Sequence, residues 1–178
     1  MANLPVPSPR TFGVTEIEVA SYFNSLRDAL LFLLNPPMAS VFQNTIQSIP
    51  SATWTDLTMD STVVDSYGAH SNVTNNARIT AVVSGWYWPA GGSSLVANAT
   101  GARGAKFAKN GTSVQGTAGL FGNAGSAIPS APAAISLPVF LNAGDYVTIQ
   151  TYQTSGGALN TQLGGDDNPA FALFWMHA

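Results

Sequence analysis

His70 is the side chain best equipped for acid–base work, and Asp65, Ser66 and Ser71 stand beside it. Serine, histidine and carboxylate are the parts of a hydrolytic triad. Geometry rather than nearness in sequence makes a triad, and no Gly-x-Ser-x-Gly elbow is present to raise a nucleophile. A loop histidine that hydrogen-bonds its own turn is the plainer reading. His177 is read as structural by the same weighing. Asp166-Asp167-Asn168, after Gly164-Gly165, offers the oxygen ligands that Ca²⁺ takes. Only two carboxylates are local and the spacing is not that of an EF-hand, so an exposed turn competes with a Ca²⁺ site at Asp166 and Asp167.

Other motifs carry less. Asp56, Asp60 and Asp65 are spread over strand and loop without the pairing that two-carboxylate hydrolysis needs. Gly101-Ala102-Arg103-Gly104 is glycine-rich, but no P-loop Lys-Ser/Thr follows it. Asn72-Val73-Thr74, Asn98-Ala99-Thr100 and Asn110-Gly111-Thr112 match the glycosylation pattern, which means nothing without a secretory signal. Trp54, Trp86, Trp88 and Trp175, with Tyr67, Tyr87, Tyr146 and Tyr152, could build an aromatic platform for carbohydrate. At alternating strand positions such residues more often fill a core or a subunit interface. The expectation is a binding and structural protein with no catalytic residue, no metal and no cofactor.

Composition supports this. Charged residues are 8% of the chain, about a third of the usual share. So sparse a charge suits a subunit packed on copies of itself or on a larger assembly. The net charge of −3, with four Arg and two Lys that do not cluster, leaves no electrostatic case for nucleic acid or an anionic membrane. Cysteine is absent, which removes disulfides and thiolate metal sites. No apolar run of about 18 residues is present, which argues against a membrane span. Met1-Ala2-Asn3-Leu4-Pro5 lacks a basic stretch followed by an apolar one, so no signal peptide is expected.

The elements that must position these residues fall into two regions. Residues 1–14 carry Pro5, Pro7 and Pro9 and are expected to be an extended arm, either a loose tail or a strap along a neighbouring subunit. Residues 15–34 read as a helix. Thr15 and Glu18 make a capping box, and Val19, Phe23, Leu26, Leu30 and Leu33 repeat at heptad spacing. Asn35-Pro36-Pro37 ends it. The seam packs either on the chain's own domain or in a small bundle around a symmetry axis, and the bundle is the expectation taken forward.

From Ser40 the period changes to two. Strands are expected over 40–48, over 53–59, over 78–88 with a Gly85 bulge, and near 93–98, 103–109, 113–121, 133–141, 145–153 and 170–177. Residues 65–77, 89–92 and 122–132 read as loops. Asn110-Gly111 is a hairpin turn, and Ala143-Gly144-Asp145 is a second tight turn. Many short strands without intervening helices mean a sandwich or jelly roll.

The order of landmarks resembles the tumour-necrosis-factor-like jelly roll, shared with the globular heads of the first complement component. The landmarks are Gly85-Trp86-Tyr87 after an Arg-Ile-Thr strand, Lys109-Asn110-Gly111, Leu141-x-x-Gly144-Asp145-x-Val147 and the aromatic strand 171–176. That resemblance covers about 40–178 and implies a homotrimer in which one sheet faces a threefold axis. A second resemblance spans the whole chain. Leu4-Pro5-x-Pro7-x-x-Arg10-Thr11-Phe12, Leu26-Arg27-Asp28-Ala29-Leu30-x-Phe32-Leu33, Gln47-Ser48-Ile49-Pro50 and Tyr67-Gly68-Ala69-His70-Ser71 look like small virion proteins of tailed bacteriophages of actinobacteria.

These resemblances imply an all-β jelly-roll sandwich with an N-terminal extended arm and one helix. Residues 1–38 would serve attachment and trimerisation, and 39–178 would form the head. Val19, Phe23, Leu26, Leu30 and Leu33 are the trimerisation residues, and Leu4, Pro5, Pro7, Arg10 and Phe12 the capsid-attachment residues. The implied role is a trimeric decoration or minor capsid protein on the phage particle surface, made in the host cytoplasm, with the major capsid protein as partner. The alternative is a tail-tip adhesin, joined to tail proteins and offering loops 65–77, 89–92, 122–132 and 155–168 to a host-surface glycan or protein receptor.

Overall fold

The computed structural model describes residues 20–122 and 128–178. The capping pair Thr15 and Glu18, Val19 of the heptad seam, and the arm residues Leu4, Pro5, Pro7, Arg10 and Phe12 lie outside the described residues. Helix α1 covers Ala20–Leu34. It stops where expected: the Asn35 N–H reaches the Leu31 carbonyl at 3.1 Å, and Pro36-Pro37 cannot continue the ladder.

The described strands are β1 Met38–Phe42, β2 Ser48–Ile49, β3 Thr55–Asp56, β4 Ser61–Asp65, β5 Arg78–Thr80, β6 Gly85–Gly92, β7 Ala102–Lys109, β8 Thr112–Ser113, β9 Gly119–Gly122, β10 Val139–Leu141, β11 Tyr146–Gln153, β12 Leu159–Asn160 and β13 Ala170–His177. They form two main sheets, antiparallel throughout. Sheet A has the order β10-β6-β13-β1-β4. Sheet B has the order β3-β11-β7-β8, with β5 also on β11 and β9 also on β7. A two-residue ladder of β2 with β12 lies beside them.

Alternation within the strands makes one core between the sheets. Val41, Tyr87, Phe171 and Leu173 of sheet A meet Ile79, Phe107, Val147 and Ile149 of sheet B, and all are buried. Phe107 and Phe171 face each other across the gap with ring centroids 6.3 Å apart. At about 25 cal/mol per Å² of apolar surface, residues of this size contribute a few kcal/mol each, and they are the main source of stability in a chain without disulfides. The Asn110-Gly111 hairpin joins β7 to β8 as expected. Both residues take positive φ, 49° and 79°, which is what a twist-matched two-residue turn demands.

Several expectations on strands are corrected. Residues 78–88 are two strands in different sheets rather than one bulged strand: β5 pairs with β11 of sheet B, and β6 lies in sheet A. The crossing ends at Gly85, whose φ is 151° and where an added Cβ would sit 2.5 Å from the His177 carbonyl and from Trp175 Nε1. No other residue fits there. Residues 89–92, expected as a loop, complete β6. Pro89 is tolerated because β10 pairs only with Gly85–Tyr87, so the strand has no β10 neighbour at Pro89. Residues 93–98 make only isolated bridges at Leu95, to Ser130 and Thr161. Strand β4, Ser61–Asp65, falls where no strand was expected.

Candidate interaction surface on the five-stranded sheet

The side of sheet A turned away from the core is apolar. Alternation sends Tyr87, Phe171, Leu173 and Trp175 inward, and therefore sends Trp86, Trp88, Phe140, Phe174 and Met176 outward, where all five are exposed. Register sets them side by side: Phe140 pairs with Trp86, Trp88 with Phe174, and Phe174 with Met38. Trp86 and Phe140 meet edge to face at 5.7 Å and 73°. A row of small residues follows, with Ala90, Ala172 and Ser40 in register and Val64 opposite Ser40.

Charge is missing from this sheet. Asp65 is the sole Asp, Glu, Lys or Arg in its five strands, and its carboxylate is occupied by the backbone N–H groups of Tyr67, Ala69 and His70 at 3.3, 2.9 and 3.0 Å. One rim carries a clamp. Lys109 Nζ, from sheet B, donates to the Phe140 carbonyl at 2.9 Å and pairs with Asp145 at 2.9 Å. Lys109, the Asn110 side chain and the Asn142 N–H together hold the Asp145 carboxyl well below the usual carboxylate range.

The helix joins sheet A at one end. Asn35–Pro37 is the whole connection between α1 and β1, and the Trp175 N–H donates to the Pro37 carbonyl at 2.9 Å. Phe32 is fully buried, edge-on to Trp175 at 4.8 Å and to Tyr67 at 6.4 Å. The Tyr67 hydroxyl donates to the Asn35 carbonyl at 2.9 Å, and the Met38 N–H to Ser66 Oγ at 2.9 Å. Phe23, Leu26, Leu30 and Leu33 of the expected seam are all exposed in the single chain.

The candidate chemical residues do not converge. Both ring nitrogens of His70 face backbone carbonyls, Nδ1 that of Arg78 at 2.8 Å and Nε2 that of Met59 at 3.0 Å. Asp65 touches the His70 backbone rather than its ring; the Ser66 hydroxyl bonds the Pro36 and Met38 carbonyls, and Ser71 Oγ takes the Thr74 N–H. The triad parts therefore serve as loop anchors. Asp166 and Asp167 are exposed in a turn held by Asn168, which bonds the Gly164 N–H and the Gln43 carbonyl. No group of three or more His, Cys, Asp or Glu gathers among the described residues.

Arg103, from the glycine-rich segment, is buried and turned onto the carbonyls of Asn98, Thr100 and Ala102. Burial lowers its pKa. The aromatic set divides three ways. Tyr87 and Trp175 are core, and burial pushes the Tyr87 hydroxyl up to about 12 although it donates to the Val83 carbonyl. Trp86 and Trp88 are on the outward face of sheet A. Trp54 and Tyr152 pair on the outward face of sheet B, 5.0 Å apart, with Lys106 Nζ 4.2 Å from the Trp54 ring centre. Alternation could identify each outward residue from sequence, but only the register makes them one surface.

No protein-family model matches the chain, and no curated protein matches it in sequence. Solved structures do. The fold is similar to crystal structures of murine APRIL at pH 8.5 (TM-score 0.56, 10% identity), covering 78% of this chain and 98% of that one. The structure of murine APRIL at pH 5.0 gives 0.56 and 12%, with 79% and 98% covered. At pH 8.0 the values are 0.54 and 12%, over the same shares. The head is thus a tumour-necrosis-factor-like jelly roll.

Proposed function

We propose that this chain is a non-enzymatic structural protein of a tailed-phage particle, a homotrimer that decorates the capsid surface. The observation that carries the reading is the outward face of sheet A. Trp86, Trp88, Phe140, Phe174 and Met176 form a contiguous apolar patch without a charged side chain, and such a patch marks a protein interface. On a tumour-necrosis-factor-like sandwich the partners that fit it are two further copies of the same sheet. Closed symmetry then hides the patch in a soluble assembly. The virion assignment rests on the resemblance, over the whole chain, of motifs such as Leu4-Pro5-x-Pro7, Asn35-Pro36-Pro37, Gln47-Ser48-Ile49-Pro50 and the stretch from Met59 to Thr80 to small phage virion proteins. In this reading the arm residues Leu4, Pro5, Pro7, Arg10 and Phe12 bind the major capsid protein.

A second reading is favoured by sheet B. Trp54 and Tyr152 lie next to Asp56, Gln150 and Lys106 on a face that a trimer formed through sheet A leaves free. Aromatic rings beside hydrogen-bonding groups suit a host-surface glycan or protein, which is the work of a tail-tip adhesin. Gold-labelled antibody on intact particles under the electron microscope separates the two. Label over the head is the expected result, label at the tail end establishes the adhesin, and a particle without label overturns both.

A further inference from the structure

Helix α1 is apolar on two opposite sides, and among the described residues only one of them has a partner. Phe32 grips the head between Trp175 and Tyr67. At 100° per residue it lies roughly 140° around the helix from the centre of the stripe made by Phe23, Leu26, Leu30 and Leu33. That stripe is exposed at 58, 59, 51 and 63%. Its spacing of 3, 4 and 3 is the one with which helices pack on their own kind. The helix's two charges, Arg27 and Asp28, pair with each other at 2.8 Å and stay off the stripe.

We infer that three copies of this stripe meet on the axis of the trimer as a parallel three-helix stalk, with Phe32 setting its register. The inference rests on the trimer reading above. What identifies the occupant as a second copy is continuity. The three residues Asn35–Pro37 place the end of α1 at the end of sheet A that bears Trp86 and Met176, so copies joined through sheet A bring their helices together there. The orientation is also decided, because every helix is fixed at the same end by the same Phe32 and its stripe faces away from that anchor. An antiparallel pairing would require Phe32 to leave the head. Three apolar stripes meeting about an axis cover one another without any further protein.

The chain has no cysteine, so a single introduced thiol reports its own surroundings. The full-length Leu26→Cys protein is oxidised and compared with Asn24→Cys, which lies on the far side of the helix. Leu26→Cys should form disulfide-linked dimers at least about tenfold faster, because neighbouring thiols on one axis are at high effective concentration. Leu30→Cys should behave like Leu26→Cys, which guards against one substitution disturbing the helix. Light scattering gives the mass of each variant before oxidation. A trimer in which residues 26 and 30 link no faster than residue 24 overturns the stalk and leaves the trimer standing. A monomer overturns the trimer, and the stalk with it.

Discussion

On the outward face of sheet A, Trp88, Phe140 and Phe174 have only apolar neighbours in register, and Trp86 lies between Phe140 and His177. On the outward face of sheet B the aromatic rings are covered by cations: Lys106 Nζ stands 4.2 Å from the centre of Trp54, and the Arg78 guanidinium 4.8 Å from that of Tyr146. Asp56 lies among them and takes hydrogen bonds from Thr148 and Gln150 at 2.8 and 2.9 Å. Of the five Lys and Arg among the described residues, Arg78, Arg103, Lys106 and Lys109 are all in sheet B. Two faces built on the same alternation therefore differ in what completes them. Sheet B satisfies its aromatics from its own chain and presents hydrated charge beyond them. Sheet A has no such cover among the described residues: its outward aromatics stay exposed.

The largest test of that contrast is a carboxylate on each face. Trp88→Asp on sheet A should raise the concentration needed to hold the trimer together at least about a hundredfold, since a symmetric interface would bury three unpaired charges. Ser113→Asp, on exposed β8 beside Lys106, should leave assembly unchanged. Light scattering across a dilution series reads both. A trimeric Trp88→Asp protein would show that sheet A is not the interface and would end the comparison.

A smaller effect is expected where the helix meets sheet A. Phe32→Ala removes a fully buried ring and should cost about 3–5 kcal/mol in chemical denaturation if the helix unfolds together with the sandwich. A loss of helical signal ahead of an unchanged sandwich transition would mean that α1 is a separate folding unit. On sheet B the change should be smaller still. Lys106→Met takes the ammonium off Trp54 and should cost about 0.5–1 kcal/mol with no change in oligomeric mass. A change of mass would mean that sheet B also takes part in assembly.

How much of this was legible in the sequence depends on whether the cause is local. Asn110-Gly111 and Leu141-x-x-Gly144-Asp145 announce their turns because the conformation is demanded within a few residues; Gly144 takes φ 94°, and Asp145 accepts the Asn142 N–H. The order of such landmarks was enough for the jelly roll. Strand β4 was illegible because Val63 and Val64 are adjacent among polar residues and show no alternation. The division of 78–88 between sheets was illegible too, since only tertiary pairing decides that Gly85 crosses rather than bulges. The candidate surface lies between these cases. Each of Trp86, Trp88, Phe140 and Phe174 can be placed on a strand from sequence. Which face stays uncovered depends on Lys106 and Arg78 reaching across to rings distant in the chain. Phe32 escaped for a similar reason: it lies off the heptad stripe, and what it grips is encoded at Tyr67 and Trp175.

The last and smallest effect lies at the rim where the charged sheet touches the apolar one. Lys109 ties sheet B to the carbonyl of Phe140, and Asp145 holds Lys109 in place through their ion pair. The hydrogen bond from Lys109 is the largest cause of the lowered Asp145 pKa, followed by those of Asn110 and Asn142. An Asp in the unfolded chain titrates near about 3.9. Because the folded value is below this, the unfolded state binds the proton first, and the clamp's contribution is complete above about pH 4. It declines as pH falls from there toward the folded value. Asp145→Asn should remove this part of the acid dependence while leaving stability at neutral pH only slightly changed, since the ion pair lies at the rim, where both side chains are partly exposed and solvent screens them. Urea denaturation of both proteins between pH 7 and pH 2.5 reads the difference. If the two curves stay parallel on the acid side, Asp145 does not couple the sheets, and the apolar face must be fixed at this edge by the β6–β10 ladder alone.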